Sequence, residues 1–230
     1  MSTDKKTPYK LYHFALCPFS RKVRIFLHEK GLDASLITEK FWEKSKDFLK
    51  INPYGEVPVL ELCDDNKKIT GSDVICEYLE EISTTNKLLG NSPEMRAEVR
   101  RINNWFDWKF FNEVGKHVIY EKVIKYYKNQ GNPNTEAIRV AKINIHYHLQ
   151  YIEFLLKDTK WLAGNKLTLA DLTVAAHLSV LDYLGDIEWE KYAILKEWYV
   201  LVKSRPSFKN ILNDYISGFS PARYYADLDF

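Results

Sequence analysis

Cysteine is scarce in this chain of 230 residues, which carries three: Cys17, Cys63 and Cys76. An odd number without paired spacing fits reduced thiols better than a disulfide framework or a zinc site, so a reducing, cytoplasmic compartment is expected. Long apolar runs are missing too. Nothing approaches the roughly 20 apolar residues that span a bilayer, and "MSTDKKTPYK" at the start has no apolar run behind it, so no membrane partner is expected. Neither sign of charge dominates: 33 Lys and Arg stand against 31 Asp and Glu. That balance removes the electrostatic reason to expect nucleic acid as a partner. No His, Cys, Asp and Glu cluster has ligand spacing, so no metal is expected, and no internal repeat or low-complexity tract interrupts the chain.

What the chain does have is apolar mass, at 46% hydrophobic and 14% aromatic residues, enough for one large domain or two modest ones. Residues 9 to 14 and 34 to 37 are short apolar or aromatic runs flanking a helical pattern over 21 to 30. Gly31 suits the left-handed turn that closes such a helix. A shorter helical piece over about 42 to 49 leads into "INPYGEVPVLEL", where Asn52, Pro53 and Gly55 supply turn chemistry before an apolar run over 57 to 62. "DDNKKIT" then turns into a second short strand, making a hairpin. In "DVICEYLEEI" the apolar residues recur at three- and four-residue spacing, and Ser72 is placed to cap that helix. These pieces give an α/β unit over 1–83.

The polar segment 84–93 reads as a linker, and everything from 94 to 217 is helical in period. Ile138, Ala141, Ile145, Leu149, Ile152 and Leu156 trace one helical stripe, with Thr135 as the expected cap. "LTLADLTVAAHLSVLDYL" sets Thr168 and Asp171 at capping-box spacing, and Ala175 and Ala176 permit close packing, so a buried central helix is expected. The aromatic-rich stretch from Trp105 to Tyr127 holds more rings than one buried face needs. Part of that surplus is expected in a groove or an interface. Residues 218–230 form an extension in which Gly218 and Pro221 stop the last helix while Tyr224, Tyr225, Leu228 and Phe230 keep the end apolar.

The stretch "CPFSRKVR" raises the question of chemistry. Pro18 fits the first helical position, which makes Cys17 the capping residue, with its sulfur beside the positive helix end. There a thiolate would be stabilised by that end and by any of Arg21, Lys22 or Arg24 turned inward, lowering the pKa below its free value near 8.5. The competing reading is a small buried side chain at a helix start. Cys63 and Cys76 sit in strand and helix patterns and read as core, and His13, at a strand end, reads as a structural histidine.

An α/β unit with "VP" before its hairpin, joined to an all-helical domain containing "LTLAD", resembles the cytosolic glutathione transferase family over nearly the whole chain. The resemblance implies a thioredoxin-like first domain with an all-helical second one, α/β plus all-α, and usually a homodimer. It implies a cis Pro58 that leaves the Val57 backbone to pair with glutathione, and Ser72 and helix-end amides to hold the γ-glutamyl carboxylate. Many family members carry Glu or Gln before that serine to meet the ligand's ammonium. This chain has Gly71, and Asp73 is the remaining acid at that helix end. "CPFSRKVR" is similar to the cysteine-type branches, in which Cys17 would attack a disulfide and glutathione would resolve the adduct. Serine-type branches steady the glutathione thiolate with a hydroxyl, for which Ser20 is the nearest candidate.

A tail ending in "YADLDF" on that frame is similar to a family of glutathione-transferase-like division proteins of alphaproteobacteria, which bind the tubulin-like FtsZ. This likeness implies an adaptor that regulates constriction without requiring glutathione, with Tyr225, Leu228, Asp229 and Phe230 as contact residues. The alternative is a glutathione-dependent transferase, with glutathione as ligand or co-substrate. Fold alone does not choose between them.

Overall fold

The computed structural model describes residues 7–228, so the expectations placed on Asp229 and Phe230 lie outside the described residues. Two compact units divide the chain, Met1–Asn86 and Lys87–Phe230.

The first unit runs β1 (Tyr9–His13), α1 (Pro18–Glu29), β2 (Ala34–Thr38), α2 (Lys46–Ile51), β3 (Val59–Leu62), β4 (Lys67–Thr70) and α3 (Ser72–Ile82). Its four strands lie in the order β2-β1-β3-β4. β1 and β2 are parallel, while β1 with β3 and β3 with β4 are antiparallel. Parallel neighbours need a long crossover, which α1 supplies, whereas the β3–β4 hairpin needs only a turn. Period-two alternation along β1 sends Leu11 and His13 inward. Gly31, at φ +67°, reverses the chain after α1 in a conformation that costs glycine nothing.

The helix expected over 42 to 49 begins later. Phe41–Glu43 is a single tight turn, Lys44 breaks it with φ at 50°, and Ser45 then caps α2 by accepting from the Phe48 amide. The cap of α3 also differs from the expectation. Gly71 occupies it, with φ +89°, and Ser72 is the first helical residue.

The second unit is helical. α4 spans residues 93–127 as one continuous rod: Pro93–Asn104 is α-helical, Trp105–Gly115 and Tyr120–Ile124 are wound more widely as π-helix, and Lys116–Ile119 and Lys125–Tyr127 return to α. α5 (Thr135–Leu156), α6 (Leu169–Tyr183), α7 (Ala193–Lys203) and the short α8 (Lys209–Leu212) follow. Asn134, not Thr135, caps α5, accepting from the amides of Glu136 and Ala137. Of the expected stripe, Ala141, Ile145, Leu149, Ile152 and Leu156 are buried, while Ile138, in the first turn, is half-buried. All fifteen residues of α6 are buried. A leucine such as Leu172, with no exposure, contributes about 2 kcal/mol by leaving water.

The segment 84–93 is tied down rather than free. Lys30 Nζ donates to the carbonyls of Thr85 and Asn86 in the first unit. In the second, Leu88 and Leu89 are buried, and the Leu88 carbonyl accepts from the Leu169 amide.

Candidate functional site

In the first unit three separate pieces of chain meet at one end of the sheet. Cys17 caps α1, with Pro18 at the helix start. Its Sγ lies 3.8 Å from the Val57 carbonyl, to which the thiol donates. The Val57–Pro58 bond is cis, and the Pro58 carbonyl accepts from the Gly71 amide at 3.4 Å, which sets the start of α3 beside the turn. The structure thus brings together Cys17, Val57, Pro58 and Ser72. Ser72 is buried and stands in the first turn of α3, where backbone amides face away from the helix and suit an anion.

The electrostatics around Cys17 differ from the expectation. Burial pushes the thiol up from its ordinary range, opposed by hydrogen bonds from the Ser20 side chain and from the Ser20 and Phe19 amides. The expected lowering therefore does not occur. The neighbouring basic residues have other partners. Arg21 donates through Nε to the Ala15 carbonyl at 2.6 Å, and Lys22 donates to Asp73 at 2.7 Å. These two cations, both fully buried, brace the backbone and α3. The Asp73 carboxylate, partly exposed, is correspondingly committed to Lys22. Ser20 is fully buried, and its hydroxyl accepts from the Phe14 amide at 3.3 Å. It also hydrogen-bonds the Cys17 sulfur.

Cys76 is core, as expected, while Cys63 is half-buried just beyond β3 and its amide donates to the Pro8 carbonyl. His13 is buried. Phe14, Phe41 and Trp42 form an aromatic cluster, with the Phe14 and Trp42 rings 5.0 Å apart and edge-on. Among the described residues no group of His, Cys, Asp and Glu is arranged to hold a metal ion, and no helix is long and apolar enough to cross a membrane.

The extension sits on the second unit. Tyr225 has no exposure, its hydroxyl donates to the Ile211 carbonyl at 3.1 Å, and its ring meets Tyr183 edge-on at 5.0 Å. This corrects the role expected of Tyr225. It is an internal anchor, while Leu228, three residues on, is exposed.

Sequence reasoning missed several polar partners on this unit. Asp182 and Lys203 form an ion pair at 3.3 Å with no exposure on either side. Trp189 and Tyr199 donate to the same carboxylate. On the π-wound stretch, Asp107 meets His177 and Glu113 meets His148, both at 2.9 Å. One of these was legible: Lys203 continues the buried stripe Leu195, Trp198, Tyr199 and Val202, a position where a cation needs a buried partner.

Comparison with known proteins places these features in a family. Residues 16–82 match the glutathione S-transferase N-terminal domain and residues 117–214 the C-terminal domain. The chain is 43% identical to FtsZ-localized protein A of Caulobacter vibrioides over 222 residues, covering 96% of this chain and 97% of the relative. It is 26% identical to glutathione S-transferase 2 of Saccharomyces cerevisiae, covering 88% of each. A solved glutathione S-transferase from Rhodospirillum rubrum superposes with a TM-score of 0.93 at 49% identity, over 96% of this chain and 100% of that one. FzlA from C. crescentus superposes equally well, with a TM-score of 0.93 at 43% identity, over 96% of this chain and 99% of the other. The α/β unit with its cis-proline turn, the helical unit with its buried α6 and these matches over both units agree: the chain belongs to the glutathione S-transferase family.

Proposed function

We propose that this protein is a cytoplasmic homodimeric adaptor that uses a glutathione S-transferase fold to bind FtsZ filaments and regulate constriction, and that it does not depend on glutathione. The observation that carries the reading is the likeness to FtsZ-localized protein A along almost the whole of both chains. The site chemistry supports it. Burial raises the Cys17 thiol, Gly71 offers no acid for an ammonium, and Asp73 is held by Lys22. Apolar side chains left in solvent, Val74 and Ile82 on α3 and Trp108 and Phe154 on the helical unit, supply surface for a second copy and for a filament.

Co-sedimentation with FtsZ polymerised by GTP tests the adaptor. Ending the chain at Asp227 removes Leu228, Asp229 and Phe230 while leaving the buried Tyr225 anchor, and this variant is expected to stay in the supernatant. Undiminished pelleting of the shortened chain refutes the assigned contacts. Analytical ultracentrifugation is expected to give a dimer.

A second reading, a thiol transferase acting through Cys17, is favoured by the grouping of Cys17, Val57, the cis Pro58 and Ser72 at one sheet end. Its signature is saturable heat on titration with glutathione, together with disulfide reduction that disappears in Cys17→Ala.

A further inference from the structure

Among the described residues, the segment after α8 carries four aromatic residues, Tyr215, Phe219, Tyr224 and Tyr225, and two of them, Phe219 and Tyr225, fasten it to the helical unit. The Phe219 ring lies edge-on to Tyr126 at 5.0 Å, and its carbonyl accepts from the Tyr183 hydroxyl at 2.8 Å. Tyr127 donates to the Ser217 carbonyl at 2.8 Å, and the Ala222 amide donates to the Tyr183 carbonyl at 3.0 Å. Two turns then coil the chain over the end of α7, the Tyr225 amide donating to the Ala222 carbonyl and the Asp227 amide to the Tyr224 carbonyl. Beneath them Lys203 Nζ lies 3.5 Å from the Tyr224 carbonyl and 5.7 Å from the centre of the Tyr225 ring, while pairing with Asp182.

A segment without helix or strand is ordinarily mobile unless it is tied down. This one is tied by residues from α4, α6 and α7, and its final fastening covers a buried ion pair. Removing either partner of such a pair leaves an uncompensated charge in the interior, so the strap and the pair stabilise each other. The entropy of ordering the strap is therefore met during folding and not at the moment a partner binds, which is how preorganisation raises affinity.

We propose that residues 214–228 form a latch locked by Lys203–Asp182 and Tyr225, that the docked latch is the binding-competent state, and that Lys203 and Tyr225 are positioning residues which aim the exposed Leu228 at the filament. The proposal rests on the FtsZ reading and adds to it a mechanism that the likeness to other proteins does not contain.

The full chain carries its own test. Arg223 is exposed but sits between fastened residues, so trypsin cleavage after it reports release of the strap. Lys203→Met and Tyr225→Leu are expected to speed that cleavage tenfold or more and to weaken FtsZ co-sedimentation about tenfold, with the helical circular dichroism unchanged. A Cβ built on Gly185 would lie 3.7 Å from that of Ala222, inside the range of about 3.5–4.5 Å that a disulfide requires. Gly185→Cys with Ala222→Cys, in a Cys63→Ser background, therefore staples the strap under oxidation; Gly185 sits at φ +70°, and the strain of a side chain there, about 1–2 kcal/mol, is common to the oxidised and reduced forms and cancels in their comparison. Oxidised protein is expected to pellet with filaments as well as the wild type, and the staple is expected to restore binding to Lys203→Met until it is reduced. Loss of binding on oxidation, regained on reduction, overturns the proposal, because the strap would then have to open. Unchanged cleavage in Lys203→Met overturns the lock, and fast cleavage with undiminished binding overturns the positioning role. If the single variants fail to fold, the oxidised and reduced forms of the stapled protein decide. A wild type that never pellets sinks the FtsZ reading and the positioning role with it, while protection of Arg223 still judges the latch.

Discussion

Asp171 is the residue whose removal the helical unit should tolerate least. Its carboxylate has no exposure and accepts four hydrogen bonds. Oδ1 takes the Leu162 amide at 2.9 Å and the Trp198 indole at 3.1 Å, and Oδ2 takes the Thr168 amide at 2.9 Å and the Thr168 hydroxyl at 3.2 Å. One side chain therefore closes the capping box of α6, ties the preceding loop and holds α7. In Asp171→Ala three N–H donors are left buried. The Thr168 hydroxyl suffers less, because it still accepts from the Ala170 amide. At about 1–3 kcal/mol for each stranded donor, the loss is about 3 kcal/mol at the least. Against a total stability of about 5–15 kcal/mol that is a large share. Burial raises the Asp171 carboxyl, opposed by these bonds, so deleting it also relieves some desolvation, which is why the lower end of the range is the one to use. Asp171→Asn keeps one acceptor oxygen and turns an amide NH2 toward two donors, and it should fall between Ala and wild type. Thr168→Ala removes only the cap hydroxyl, at about 1 kcal/mol. Urea unfolding followed by circular dichroism at 222 nm reads all three. An Asp171→Ala protein within about 1 kcal/mol of wild type would falsify the reasoning, since a buried donor cannot be left unpaired so cheaply.

Further outcomes follow from the same structure. Because burial raises the Cys17 thiol, its thiolate fraction at neutral pH lies below that of a free thiol, and iodoacetamide should modify it more slowly than free cysteine until the pH passes the ordinary thiol range; faster labelling near pH 7, in a Cys63→Ser background, contradicts this. His148 is held lowered by burial, against the raising effect of Glu113. The sign is fixed by which state takes the proton: above about 6.5 neither does, and below it the unfolded chain does while the folded one does not. Stability should therefore fall as pH drops through that value and level off under the lowered folded pKa. His148→Gln should flatten the slope between pH 7.5 and 5.5, and equal slopes in the two proteins count against the assignment. Gly71 sits at φ +89°, and a Cβ there meets only Val74 at 3.8 Å. Gly71→Ala should thus cost about 1–2 kcal/mol through backbone strain alone, and a neutral result in urea unfolding would show that the turn shifts instead.

Periodicity, turns and caps made most of the fold legible in the sequence. The alternation in β1, the glycine after α1, the hairpin and the capping box at Thr168 and Asp171 are local signals, and local physics decides them. Caps were displaced by a single residue at α3 and α5, because Gly71 and Asn134 satisfy the same geometric need as the neighbouring Ser72 and Thr135. The π-wound stretch of α4 was not legible. Its register is set by what α5 and α6 present to it, Trp105 donating to His148 Nδ1 at 3.1 Å and Asp107 reaching His177, and these contacts span more than forty residues of chain. The same limit applied at the candidate site. Spacing placed Arg21 and Lys22 near Cys17 along the chain, but only the packed structure shows that one is turned to the Ala15 carbonyl and the other to Asp73.

Those two commitments bear on function more than the presence of the cysteine does. A capping thiol gains as a nucleophile when surrounding charge favours its anion. Beyond its own helix, the Cys17 thiol donates to the Val57 carbonyl at 3.8 Å. The thiol can donate to that oxygen, but a thiolate would have nothing to donate and would face the carbonyl's negative end in a buried setting. Burial and the Glu56 charge raise the thiol, and the Ser20 hydroxyl and the helix-end amides oppose them. The first unit thus sets a cis-proline turn beside Cys17 while favouring the protonated form of that thiol. The second unit, by contrast, commits Lys203, Asp182, Tyr183 and Tyr225 to holding a chain end in place. Polar groups buried at such a cost in desolvation are informative about where geometry matters. Here they lie under the segment that follows α8, so the helical unit uses its buried polar groups to fix that segment, whereas the first unit uses its own to brace α1 and α3.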